Sequence, residues 1–80
     1  MRIGEAVRLR IVELCQQREL SVNKLSNLSG VTQSTVNNIV SGRNRSATIS
    51  TIKKLCDGLG ISIQAFFASE LFDDLEQEVK

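Results

Sequence analysis

Histidine is absent from these 80 residues, as are proline, tryptophan and tyrosine. Without histidine there is no imidazole base for a nucleophile and no imidazole metal ligand. Cys15 and Cys56 stand far apart, each on an apolar helical stripe. They form neither a zinc site nor a disulfide-dense frame, and their simplest place is the core. No glycine-rich phosphate loop occurs, so no metal and no cofactor is expected. No apolar run is long enough to span a bilayer. The opening MRIGEAVRLR breaks its apolar pattern with charge, unlike a signal peptide. The expected location is the cytoplasm, with no membrane partner, and catalysis is poorly supported.

Hydrophobic residues make up 41% of the chain, enough for one compact core and too many for a disordered tail. A core of this size is marginal, and self-association would help stabilise it. Charge is unevenly spread. Residues 1–54 carry nine Lys/Arg and three Asp/Glu, while residues 55–80 carry one Lys and six acids. The halves are therefore +6 and −5, within a net charge of +1. A basic front and an acidic back suit a protein that lays one face on phosphates, although small domains also show such asymmetry.

The periodicity is helical throughout and predicts an all-α chain. Val7, Ile11, Leu14 and Cys15 form the stripe of a first helix from about Ile3 to Arg18. Ser21 caps a second, roughly Val22 to Leu28, ended by Gly30. Thr32 caps a third, roughly Gln33 to Val40, closed by Gly42, with Val36, Ile39 and Val40 on its apolar side. Thr48 caps a fourth, with Ile49, Ile52, Leu55 and Cys56 inward and Gly58 and Gly60 at its end. Ser62 caps a fifth, whose apolar residues are Ile63, Phe66 and Phe67.

Residues 1–69 are thus expected to form one domain and residues 70–80 an acidic, amphipathic helical tail. In that tail Leu71, Phe72, Leu75 and Val79 keep helical spacing, against Glu70, Asp73, Asp74, Glu76 and Glu78. The stripe either folds back on its own domain or, with Phe66 and Phe67, packs against a second subunit or another protein. The tail's acidic charge would keep this end away from a phosphate-bearing partner.

Two short helices joined at Gly30, the second with a polar, uncharged outer face, are the layout of a helix-turn-helix. In that motif the second helix enters the DNA major groove. Gln33, at its start, matches adenine because an amide offers one donor and one acceptor. Alone it would read as a solvated helix-start residue; within this frame, base contact is favoured. Ser34 and Asn38 share its side and are short enough to let a helix sit deep. Asn37 can join them or face a phosphate. Arg43 and Arg45, flanking Asn44, offer affinity without sequence information, or form a solvated loop. Lys24, Lys53 and Lys54 are weaker candidates. Arg8 and Arg10 either touch phosphate or pair with Glu5 and Glu13.

The frame L-S-x-x-K-L-S-x-L-S-G-V-T-Q-S-T-V at Leu20 to Val36 resembles the phage repressor and Cro-type helix-turn-helix family. So do S-G-R at Ser41 to Arg43, T-I-x-T-I-x-K-L at Thr48 to Leu55, and L-G-I-S at Leu59 to Ser62 followed by Phe66. The likeness covers roughly Val7 to Phe67. It implies a five-helix, repressor-like bundle in which Gln33, Ser34 and Asn38 read bases. It places Thr35, Ser41 and Asn44 at phosphate or loop contacts. Two departures matter. A glutamine common at the start of the second helix is Val22 here, leaving Asn23 and the helix N-terminus to anchor a phosphate. Many members also pair an arginine with a glutamate where Cys15 and Val40 stand. The coordinated loss of both charges implies that Cys15 lies near Val40.

The expected function is a sequence-specific DNA-binding regulator, a repressor that binds a palindromic operator as a homodimer on double-stranded DNA. The alternatives are an antitoxin-like control protein, or an interaction module that uses the C-terminal apolar stripe.

Overall fold

Side-chain oxygens start four of the five helices. In the computed structural model, which describes residues 1–79, the order is α1 (Ile3–Gln17), α2 (Val22–Ser29), α3 (Gln33–Val40), α4 (Ile49–Leu59) and α5 (Ile63–Phe67). Ser21, Thr32, Thr48 and Ser62 each accept from a backbone N–H three residues on, at 3.0–3.3 Å. Each such cap stabilises its helix by about 1 kcal/mol. α2 and α4 end on Gly30 and Gly60, both left-handed. α1 ends without a glycine: Glu19 takes φ 54°, and Leu20 N–H donates to Cys15 O at 2.9 Å. No strand occurs among the described residues.

One core joins all five helices. Ile11 and Leu14 from α1 meet Leu25 from α2, Val36 and Ile39 from α3, Ile52, Leu55 and Cys56 from α4, and Phe66 from α5. α2 lies mainly on α4 and α3. The α2–α4 approach is close because Gly58 faces Ser29: a Cβ at residue 58 would sit 2.9 Å from the Ser29 backbone. Gly58 is therefore inside α4, a packing residue rather than part of the terminus. Ile49 also departs from expectation. It is 65% exposed, while Ile52, three residues on, is buried in the core.

The tail differs most from its periodicity. Among its described residues only Glu70–Phe72 is helical, as a single 3-10 turn capped by Ser69, and residues 73–79 are not a helix. Phe72 instead closes an aromatic cluster with Phe66 and Phe67, with centroids 4.8–6.2 Å apart. Phe66 is fully buried in its own domain, so it is not surface available to a partner. Phe67 and Phe72 are half-buried against the same core. Leu71 and Leu75 are half-exposed and Val79 is 85% exposed, so they form no continuous stripe. Past Asp73 the chain turns back to the N-terminus, where Glu76 N–H donates to Met1 O at 3.0 Å and Arg2 pairs with Glu78 at 3.0 Å.

Candidate nucleic-acid interface

The turn before α3 is fixed from within. The buried Ser26 hydroxyl donates to Val31 O at 2.5 Å, and the Ser29 hydroxyl donates to Leu25 O at 2.7 Å. Val31, Val36 and Ile39 are buried beneath. With that side of α3 occupied, Gln33, Ser34 and Asn37 are left exposed on the other. Thr35 is half-buried and belongs to the cap: Thr32 Oγ1 accepts its N–H at 3.3 Å and donates to its hydroxyl at 2.8 Å.

Asn38 joins the helix to the following loop. Its side-chain oxygen accepts from Arg43 at 3.5 Å, and its main-chain oxygen accepts from the Ser41 hydroxyl and from Asn44 N–H. The structure thus brings Asn38, Ser41, Arg43 and Asn44 together at the end of α3. The Asn44 side chain also accepts from Ser46 N–H at 2.9 Å, which shapes the loop. Arg45 lies on the loop's other side, its guanidinium donating to Gly42 O at 3.2 Å. There the start of α1 is close: a Cβ on Gly4 would meet Arg45 O at 2.4 Å. Asn23 is exposed on the first turn of α2, while Val22 turns its apolar side chain toward the core.

Two arginines serve the fold rather than this face. Arg8 donates both to Glu5, at 2.7 and 3.2 Å, and to Val40 O at 3.4 Å, the last carbonyl of α3. These hydrogen bonds hold the Glu5 carboxyl below its ordinary range and the guanidinium above its own. Arg10 pairs with Glu13 and donates to the Ala65 and Phe66 carbonyls at 2.9 and 2.7 Å, capping the end of α5. The i, i+3 pairings were legible in the sequence; the carbonyl acceptors, more than thirty residues away, were not. Lys53 pairs with Asp57, leaving Lys24 and Lys54 exposed. Cys15 and Val40 are both half-buried against the one core. Burial pushes both cysteine thiols up, which keeps them neutral.

The tail lies nearer the loop than its charge led us to expect. A groove beside α1 is lined by Arg2, Gly4, Arg45 and Ser46 together with Glu76 and Glu78. A second, more apolar groove runs alongside it, with Ile3, Val7, Ala47, Ile49 and Phe67 in its walls.

No group of three or more potential metal ligands occurs among the described residues. No described helix is long and apolar enough to cross a membrane. A helix-turn-helix family model matches residues 11–66. The crystal structure of prophage Lp1 protein 11 is similar to this chain at 39% identity, over 94% of this chain and 100% of that one, with a TM-score of 0.79. No curated protein matches.

Proposed function

Because this chain belongs to the phage repressor and Cro-type helix-turn-helix family, a family of DNA-binding transcription regulators, we propose that it represses transcription by binding a palindromic operator as a homodimer. The observation that carries the reading is the uncharged polar face of α3, with Gln33, Ser34 and Asn37 exposed and Arg43 and Asn44 held beside Asn38. Gln33 and Ser34 meet base edges at the start of the helix, with Asn37 and Asn38 one turn on. Thr35, Ser41, Arg43, Asn44, Arg45 and Asn23 hold the phosphates on either side. Such contacts give affinity and register, and the helix start gives sequence preference.

A single recognition helix reads too few base pairs to single out one operator. Two copies on one duplex would read half-sites about one helical turn apart, roughly 34 Å. With Phe66 buried, the dimer surface falls to the apolar groove at the start of α4. Ile49 and Ile3, 65% and 41% exposed, line it together with the half-buried Phe67. Ile49 follows directly on the loop that leaves α3, so subunits side by side on DNA would meet near it. Such an apolar patch suits a two-fold interface. Selecting bound duplexes from a random pool tests both parts of the reading. A palindromic consensus is the expected result, a single unrepeated half-site argues against the dimer, and no enrichment argues against sequence reading.

A further inference from the structure

The tail closes on the basic edge of the proposed DNA face. Glu78 is 3.0 Å from the Arg2 guanidinium, and the Glu76 main chain is anchored on Met1 O. Both glutamates line one groove with Arg45 and Ser46, the end of the loop that follows α3. Glu5 also lines this groove, where it is engaged by Arg8 at two points and lies near Arg45. The cations that the tail engages are therefore the Met1 ammonium, 3.6 Å from Glu76, and Arg2, with Arg45 lining the same groove beside them.

We infer that the acidic tail is an intramolecular strap that competes with DNA phosphate for this basic edge. Two properties fit it for displacement. The Arg2–Glu78 pair is about half exposed on both sides, so it stabilises the closed form only weakly and is screened by salt. Residues 73–79 hold no helix, so releasing them breaks no regular structure. A polyanion approaching along α3 brings several phosphates to the cations that the strap holds with two carboxylates. The strap would weaken binding to arbitrary DNA and yield where α3 adds base contacts.

This inference rests on the DNA-binding reading, and one set of variants separates the two. The full chain, E76Q/E78Q and D73N/D74N are titrated against a random-sequence duplex between about 50 mM and 200 mM salt. Both double variants remove two charges from the tail, but only the first removes carboxylates that line the groove. The expected result is about three- to tenfold tighter binding by E76Q/E78Q at low salt, shrinking as salt rises, with a much smaller gain for D73N/D74N. Equal gains would reduce the effect to overall charge and overturn the strap; so would no gain in either. If no form binds any duplex, the DNA-binding reading fails instead. The strap is then judged by hydrogen exchange at the Glu76 amide. Faster exchange in E78Q than in the full chain supports it, and an unchanged rate overturns it.

Discussion

Ser26 donates its hydroxyl to Val31 O at 2.5 Å, tying the last turn of α2 to the residue just past the Gly30 reversal. The tie braces the turn that leads into α3. Ser26→Ala leaves a buried carbonyl without that donor, which costs about 1–3 kcal/mol. Urea denaturation should show a lower midpoint with an unchanged slope. An unchanged midpoint would mean that solvent serves Val31 equally well.

Gly58→Ala is expected to destabilise the protein, although alanine is the better helix former by about 1 kcal/mol. The added Cβ would lie 2.9 Å from Ser29 backbone atoms, which cannot rotate away as a side-chain tip can. Forcing α2 and α4 apart costs about 1–3 kcal/mol, typical of overpacking. A thermal melt compares the two: a raised Tm would show that the helices separate easily.

The parts of the fold legible in the sequence are those with local causes. Ser21, Gly30, Thr32 and Val40 bound α2 and α3 to within a residue, because caps and left-handed glycines act over one turn. Residues placed by distant neighbours were not legible. Gly58 next to Gly60 reads as a helix end until Ser29 is seen against it. Ile49 has the right spacing for the core and is 65% exposed, because spacing shows which residues share a face, not which of them are covered. The tail has apolar residues at helical spacing from Leu71 to Val79. A helix of that length is marginal in water on its own, and Phe72 docking with the Met1 and Arg2 contacts prevails. The candidate DNA face was legible because an uncharged polar surface on a short helix has few structural uses. Its tie to Arg43 through Asn38 needed three dimensions.

The Glu5–Arg8 pair gives a pH signature. The Arg8 hydrogen bonds hold the Glu5 pKa below its ordinary value of 4.5. Its contribution to stability is therefore present above that value and is lost as pH falls through the lowered folded value. Glu5→Gln should melt below the parent near neutral pH, and the difference should close in strong acid. A gap that stays constant with pH would place the cause in packing.

Val40→Glu should cost about 1–3 kcal/mol, because the new carboxylate would be partly buried beside an arginine that Glu5 already engages. Adding Cys15→Arg should recover part of that loss by supplying the ion pair that neither position now offers. Melts of the two single variants and the double variant measure the coupling. Strict additivity would show that the two positions do not face each other across α1 and α3.

Gln33 and Arg43 should separate sequence reading from anchoring. Gln33 is exposed at the first position of α3, just past the Thr32 cap, where an amide can satisfy an adenine edge with two hydrogen bonds. Gln33→Ala should weaken binding to the selected site by about 1–3 kcal/mol and relax preference at one base pair per half-site, leaving random DNA nearly unaffected. Arg43 sits on the loop side of Asn38 and carries charge without a base-matching partner. Arg43→Ala should weaken binding to all sequences and lower the slope of log affinity against log salt by about 1. Titrating both variants on selected and scrambled duplexes at several salt concentrations resolves the two roles. If Gln33→Ala loses equally on both duplexes, α3 does not read bases through its first residue. If the salt slope of Arg43→Ala matches the parent, the loop stays in solvent, and the phosphate contacts fall to Arg45 and the start of α2.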